Sequence, residues 1–481
     1  MPDRSGTDPR GLEAVSARRV AVCGLGREGL GLLDLLHRRG VTPLLVDDDP
    51  GAGARARAVL PGAAVRAPSA VDWSGVDVVV RAPGVGRYRP ELQAAASSGA
   101  AVTTLLALWL HDFADQPVLA VTGTKGKSTT AALAAAILRA QGRRVALVGN
   151  IGVPVTETYG VPRAEVYVVE VSSYQAVDVR TTPPVCVLTG LGPDHLDWHG
   201  GVEAYYRDKL HLLAAGPDGA TGRLAVDACS HEAERRTSGH PDRILYGCAG
   251  RVTVGPDGVV TADGRALADT SGWAVAGHHN RVNLCGAVSG IALLDGALPA
   301  ASDVATAVAG FAGLPSRCEV AGEHDGRTFV DDALASNPTA TAASLEVFAG
   351  RPLALVAGGA DRGVDMSGLA ARLGRLEPPP ALVAVGPGGR CLADAVGQLP
   401  GAGRITVTRT ASLEEGVEAA VAATPAGGVV LFSPAQPTPA EEGDYRDRSR
   451  RFRAAAGLAV GPASGGEEQA VGGGPDRERT R

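Results

Sequence analysis

Lysine is nearly absent from this sequence: of 46 residues that are Lys or Arg, only three, Lys125, Lys127 and Lys209, are lysines. With Gly, Ala, Arg and Pro abundant, the composition has drifted toward arginine wherever charge alone was needed. A lysine retained against that drift is a candidate for chemistry that a permanently protonated, planar guanidinium cannot perform. Cysteine is sparse and scattered. The seven (Cys23, Cys186, Cys229, Cys248, Cys285, Cys318, Cys391) are odd in number and none forms a Cys-x-x-Cys pair, so neither a disulfide framework nor a zinc ribbon is expected. No run approaches the ~18–20 apolar residues of a bilayer span. The opening residues, MPDRSGTDPRG, lack the apolar core of a secretion signal. A net charge of −6 gives no electrostatic basis for nucleic-acid binding. These absences predict a cytoplasmic protein with no membrane insertion and no nucleic-acid partner. An apolar fraction of 45% excludes a fully disordered chain. At ~100–200 residues per domain, the length predicts about three domains.

The chain alternates strand and helix patterns, which predicts an α/β protein with largely parallel sheets. An apolar strand at 19–23 leads into Gly24-Leu25-Gly26-Arg27-Glu28-Gly29 and a helix to about residue 39. A second strand at 41–46 ends in Asp47-Asp48-Asp49. This is the pattern of a nucleotide-binding Rossmann unit, with Gly24, Gly26 and Asp47 as candidate ligand contacts. Tight glycine packing without a ligand is the alternative. A third strand at 76–80 runs into Ala82-Pro83-Gly84-Val85, a turn where such sheets place ligands. A second unit starts near 116, with strands at 118–121, 145–148, 166–169 and 185–188 and short strands within 222–275. A third begins near 313, with strands at 328–330, 353–357, 381–385, 405–407 and 429–432. From 463 to 481 the Gly/Glu/Arg-rich chain has no apolar periodicity and reads as a disordered tail.

The strongest local signal follows the strand at 118–121: Thr122-Gly123-Thr124-Lys125-Gly126-Lys127-Ser128-Thr129, then an Ala-rich helix. A glycine turn feeding a helix start aims backbone N–H groups at phosphates. Lys127 would reach the β/γ-phosphates and the Ser128 hydroxyl would hold Mg²⁺. The spacing is G-x-x-G-K-S, shorter than the common P-loop. Glu170 ends an apolar strand, where a further Mg²⁺ ligand belongs; capping of a turn is the alternative. His195 and His199 are four apart in Pro193-Asp194-His195-Leu196-Asp197-Trp198-His199, but Leu196 stands where a zinc protease needs Glu. Pro193 and Gly200-Gly201 bracket the run, so a single His among oxygen ligands of Mg²⁺ fits better. Lys209 lies on an expected helix at 203–213 and, kept neutral, could react with CO₂ to form a carbamate ligand for Mg²⁺.

The order TGTKGKSTT, ALVGNIG, EVSSYQ, PDHLDWHG, YRDKL, GHHNRVN, LPSRCE, VDDALASNP and GGADRG resembles the Mur ligase family of peptidoglycan biosynthesis, over about residues 15–460. Within it, the chain is similar to enzymes that add glutamate to UDP-N-acetylmuramoyl-L-alanine. The resemblance implies three domains: a UDP-substrate-binding Rossmann-like domain at 1–115, a central ATPase at 116–312 and an amino-acid-binding Rossmann-like domain at 313–462. It implies ATP bound by Gly123, Thr124, Lys125, Gly126, Lys127, Ser128 and Thr129, with Asn280, Asn283, Arg317 and Asp332 holding the nucleotide. Two Mg²⁺ ions would be bound by Ser128, Glu170, His195 and a carbamylated Lys209. Asn150 and Ser172 resemble muramoyl contacts. Arg362 stands where the family usually has a lysine near the reaction centre, and Tyr445 would be a further substrate contact.

Two departures bear on the amino acid. Enzymes of this family specific for D-glutamate carry Asp-Ser-Lys-Ala-Thr-Asn; here the run is Asp332-Ala333-Leu334-Ala335-Ser336-Asn337, so Leu334 replaces a lysine. Their Ser-Pro-Ala-Cys-Ala-Ser-Phe is replaced by Ser433-Pro434-Ala435-Gln436-Pro437-Thr438-Pro439. Lys125, Ser-Ser-Tyr-Gln and Arg-Asp-Lys-Leu resemble instead the branch that adds L-glutamate, whose product a separate epimerase inverts. The expectation is L-glutamate, with D-glutamate as the alternative. A silent nucleotide-binding relative and a folate-polyglutamylating ligase stay open as other readings.

Overall fold

The computed structural model describes residues 10–459 apart from 215–220, 274, 276 and 362. The expected tail from 463 and the candidate Arg362 lie outside the described residues.

Apolar runs bounded by glycine and proline form three sheets. The first holds β1 (Val20–Cys23), β2 (Leu44–Val46), β3 (Val65–Arg66), β4 (Val78–Arg81) and β5 (Ala101–Thr104), all parallel, in the order β3-β2-β1-β4-β5. The second holds β6 (Val118–Thr122), β7 (Val145–Gly149), β8 (Val166–Glu170), β9 (Val185–Leu188), β10 (Arg223–Asp227), β11 (Arg243–Gly247), β12 (Val252–Val254), β13 (Val259–Ala262) and β14 (Arg265–Asp269). Its order is β14-β13-β12-β11-β10-β9-β6-β8-β7, parallel from β7 to β12 and antiparallel beyond. The third holds β15 (Glu319–His324), β16 (Arg327–Asp331), β17 (Leu353–Ala357), β18 (Ala381–Val385), β19 (Thr406–Thr410) and β20 (Val429–Phe432), ordered β15-β16-β20-β17-β18-β19, with β15 alone antiparallel. The fold is therefore α/β with parallel-rich sheets, as expected.

Central strands such as β6, β8, β9 and β20 are buried at every residue, which is why they read as unbroken apolar runs rather than alternating ones. The helix expected at 203–213 is Val202–Leu210 followed by a 3₁₀ turn, His211–Leu213.

The first two sheets lie in one compact unit, which runs to Trp273 and includes His278–Phe311; the third lies in another, with 274–277 and the residues from Ala312. Within the first unit, one apolar core runs from Val22 and Leu33 through Trp109 to Val118 and Val169. Beside it, Arg81 at the end of β4 donates from Nε to Asp178 Oδ2 at 2.8 Å and from Nη2 to the Tyr174 carbonyl at 2.6 Å. Both partners of that ion pair are shut off from water, and Arg87 completes it at 2.8 Å on Asp178 Oδ1.

One expectation fails. Cys229 and Cys248 are joined as a disulfide although 19 residues separate them. β10 and β11 are parallel neighbours, so the residues just past their carboxyl ends stand side by side. Spacing along the chain carries no trace of that neighbourhood.

Candidate active site

β6 delivers the phosphate-loop sequence to the carboxyl edge of the second sheet. Two glycines there are sterically required: a Cβ at Gly123 (φ +143°) would lie 2.0 Å from Thr189 Oγ1, and one at Gly126 (φ +87°) 2.3 Å from Asn283 Oδ1. The turn therefore closes tightly against its neighbours and starts the helix Lys127–Ala140. Lys127 Nζ donates to the Thr124 carbonyl at 3.1 Å, and Ser128 is buried at the same helix start, followed by half-buried Thr129. The Thr124 hydroxyl accepts from the Gly192 N–H at 3.0 Å and lies 2.7 Å from the Tyr205 hydroxyl. Lys125 is more exposed and pairs with Asp194 at 3.4 Å.

Lys209 is buried on the helix Val202–Leu210. Its Nζ donates to the Gly123 carbonyl at 2.8 Å and sits 5.1 Å from the Tyr205 ring centre. Burial first, and then the positive charge of Lys127, drives its ammonium well below the usual lysine range, against the opposing pull of Asp194 and Glu170. Glu170 closes β8 and is buried; its Oε1 accepts from Asn150 Nδ2 at 2.8 Å. Its Oε2 is buried with no hydrogen-bond partner. A carboxylate oxygen in that state is costly unless a cation faces it, so the donor set fits a hard divalent ion such as Mg²⁺.

His195 adopts a left-handed backbone (φ +52°) at the start of the turn Leu196–His199. Burial, opposed by Asp194 and aided by Lys209, Lys125 and Lys127, holds its imidazole below the usual histidine range, which favours the neutral ring. His199 is already committed: Nδ1 meets Asp208 Oδ2 at 2.8 Å and Nε2 meets Ser173 Oγ at 3.0 Å. The two histidines are not a metal pair. Asn280 and Asn283 are buried on the helix His278–Asp295, where Asn283 Nδ2 donates to Asn280 Oδ1 and Thr130 donates to Asn283 Oδ1, each at 3.3 Å. The structure thus gathers the loop 123–129, Lys209, Glu170, Asn150, His195, Asn280 and Asn283 at one sheet edge. Ser172 serves its own helix start: its hydroxyl accepts from the Gln175 N–H at 3.3 Å and donates to Gln175 Oε1 at 2.9 Å.

The first sheet has a cavity of about 490 Å³ at the carboxyl ends of its strands, lined by Gly24, Gly26, Asp47, Trp73, Val85 and Arg89 among others. Gly29 is needed for helix–strand approach, since a Cβ there would lie 1.9 Å from the Gly24 carbonyl, whereas Gly26 faces open space. Asp47 spends its carboxylate on the loop itself, accepting from the N–H groups of Leu25 at 2.6 Å and Asp49 at 2.8 Å. Glu28 also lines the cavity, and sequence reasoning passed over it. Gln175 Nε2 donates to its Oε1 at 2.8 Å, and burial pushes its carboxyl up to about 7. The one trace of it in the sequence was an acid at the first turn of a helix behind a glycine string. Trp73 and Arg89 were missed too, and had no motif to mark them.

In the unit that carries the third sheet, Arg317 is exposed between two left-handed residues, Ser316 and Cys318. Asp332 is buried, and its carboxylate accepts from Ser344 Oγ (2.6 Å), Ser433 Oγ (2.7 Å) and the Cys318 N–H (3.0 Å). Burial raises its carboxyl to about 6. Its three donors make it the anchor of the turn that carries Leu334. Tyr445 starts the helix Tyr445–Ala455, with the Arg446 guanidinium 5.1 Å from its ring centre. Arg448 is buried and engaged with the Gly358 carbonyl at 2.8 Å and Glu442 at 2.9 Å. Gln436 is buried with both amide atoms unpartnered, a feature sequence reasoning did not anticipate.

Residues 121–289 match the Mur ligase middle domain, and residues 316–436 match the Mur ligase, glutamate ligase domain. A protein of Micromonospora sp. named UDP-N-acetylmuramoyl-L-alanine–L-glutamate ligase is 38% identical over 462 residues, covering 92% of this chain and 97% of its own. One of the same name from Xanthomonas euvesicatoria is 35% identical over 460 residues, covering 93% and 97%. Among solved structures, UDP-N-acetylmuramate-alanine ligase from Thermotoga maritima has a TM-score of 0.58 at 19% identity, covering 92% of this chain and 99% of that one. Two domain matches in the expected order, and relatives alike along nearly their whole length, agree with the phosphate loop and its buried lysine: the chain belongs to the Mur ligase family.

Proposed function

We propose that this protein joins L-glutamate to UDP-N-acetylmuramoyl-L-alanine through an acyl phosphate formed with ATP, releasing ADP and phosphate, in the cytoplasmic assembly of peptidoglycan precursors. The observation that carries the ligase chemistry is the phosphate loop at 123–129 with Lys209 buried against it and Glu170 left with an unpartnered oxygen. The names of relatives at 35–38% identity support L-glutamate over D-glutamate, as does Leu334 where a D-glutamate enzyme has lysine.

In this reading residues 1–115 hold the UDP substrate in the 490 Å³ cavity, with N–H groups at the start of the helix Arg27–Arg38 facing the diphosphate. Residues 116–312 bind ATP, and residues 313–462 hold glutamate, with Arg362 and Tyr445 among its contacts. The alanyl carboxylate attacks the γ-phosphorus, forming an acyl phosphate and releasing ADP. The glutamate amine then attacks the acyl carbon, loses a proton and displaces phosphate, forming the amide. Two anions must meet in the first step. Lys127 and the N–H groups of the loop lower that repulsion by holding the phosphate charge. Ser128, Glu170, His195 and a carbamylated Lys209 would hold Mg²⁺, which neutralises phosphate charge when bound. Lys209 supports the carbamate because a lysine whose ammonium is destabilised supplies a free amine for CO₂. The product carries L-glutamate at its end, so an epimerase acting on it is the expected next enzyme.

The test is phosphate release by the purified protein with ATP, UDP-N-acetylmuramoyl-L-alanine and L-glutamate. Release that requires both acceptor and amino acid supports a ligase. Release independent of either, or none, contradicts it.

A further inference from the structure

A second cluster of donor groups lies on the same sheet, outside the phosphate loop. Cys229 follows β10, Cys248 follows β11, and His278 opens the helix His278–Asp295. All three are exposed, and their two sulfurs and a ring nitrogen lie within 4.8 Å of one another. The positions are held by the fold rather than by loose chain. The Cys229 N–H donates to Asp227 Oδ1 at 2.8 Å, and a Cβ on Gly247 would come within 3.2 Å of Cys229 Sγ and 3.0 Å of Val282 Cγ1. The cluster is thus wedged between two strand ends and the first turn of the helix that carries Asn280 and Asn283.

Two thiolates and an imidazole form a soft donor set, suited to Zn²⁺ and poorly suited to Mg²⁺. We propose that in the reduced chain Cys229, Cys248 and His278 bind one Zn²⁺, and that the Cys229–Cys248 disulfide is the oxidised, metal-free form of the same site. The chemistry balances with a dithiol as reductant. The dithiol attacks the disulfide, gives up two electrons and two protons, and becomes a disulfide itself, leaving two cysteine thiols. Zinc binding then releases the two thiol protons. At Zn–S distances of ~2.3 Å in tetrahedral geometry the sulfurs stand ~3.8 Å apart. The Cα atoms are 5.1 Å apart and both side chains are exposed, so side-chain rotation alone achieves that separation. The fourth position is left to water. Where thiols are kept reduced, a cysteine pair is better placed to bind metal than to persist as a bridge.

The experiment uses the full chain, reduced without air and stripped of metal, then titrated with Co²⁺ and with Zn²⁺. One Zn²⁺ retained per reduced chain, with a cobalt–thiolate charge-transfer band, is expected. Oxidation to the disulfide should release the metal. Cys229→Ser with Cys248→Ser should abolish the band, and His278→Ala should weaken binding about tenfold or more. The oxidised wild type is a control that needs no folded variant. No band in the reduced protein, or equal zinc retention in the reduced and oxidised forms, overturns the proposal.

Discussion

The ammonium of Lys209 donates to the carbonyl oxygen of Gly123 at 2.8 Å, tying a buried lysine from one helix to the first glycine of the phosphate loop. A buried cation with one neutral partner and a second lysine nearby is electrostatically poor as it stands. The carbamate proposed for Lys209 would replace that buried positive charge with an anion, which suits both the neighbouring Lys127 and a cation at Glu170. Lys209→Arg should therefore be as inactive as Lys209→Ala, and short carboxylates should partly restore the alanine variant. Steady-state assays with and without added carboxylate check this. An active arginine variant would mean that positive charge alone is needed.

Lys127 is the loop lysine at the start of its helix, and the proposed mechanism assigns it to the β/γ-phosphates. Lys127→Ala should lower kcat by several orders of magnitude, with acyl-phosphate formation lost. Single-turnover ADP release measures it, and a rate like the wild type's would remove Lys127 from the chemistry.

Arg81 and Asp178 form a buried ion pair linking the end of β4 in the first sheet to the segment between β8 and β9. Arg81→Ala leaves a buried carboxylate with only Arg87, and should destabilise the first unit by about 3–5 kcal/mol. Urea unfolding reports it. A loss below about 1 kcal/mol would show that Arg87 alone satisfies Asp178.

Glu28 gives a pH dependence of known sign. Its carboxyl rises from 4.5 to about 7 on folding, chiefly through burial. The folded state therefore binds the proton more tightly than the unfolded one, and this contribution to stability is lost as pH rises between those two values. Stability measured for the wild type relative to Glu28→Gln should fall by about 2 kcal/mol between pH 5 and pH 8. A flat difference across that range would mean that the carboxylate is already ionised in the folded protein.

Much of this was legible in the sequence. Central parallel strands announce themselves because burial on both faces forces every residue to be apolar, as at Val185–Leu188 and Val429–Phe432. The edge strand Glu319–His324 did not, since it is partly exposed along its length and bulged between Val320 and Gly322. The phosphate loop was readable because its chemistry is contiguous. Lys209 stood out only because lysine had been almost eliminated elsewhere. What stayed hidden depends on distant partners: Glu28 meets Gln175 147 residues away, and Cys229 meets Cys248 through strand pairing. The His195–His199 spacing was equally mute about Asp208 and Ser173, which take both nitrogens of His199.

L-glutamate addition is tested by a competition between the two enantiomers. Leu334 removes a cationic partner that a D-glutamate enzyme has, worth about 1.5–3 kcal/mol for a hydrogen bond to a charged group. Purified enzyme, ATP and UDP-N-acetylmuramoyl-L-alanine are incubated with labelled L- and D-glutamate together, and the label in the product is resolved by enantiomer. L-glutamate should be used at least about tenfold better by kcat/KM, a discrimination of roughly 1.4 kcal/mol. Preferential incorporation of D-glutamate would contradict it.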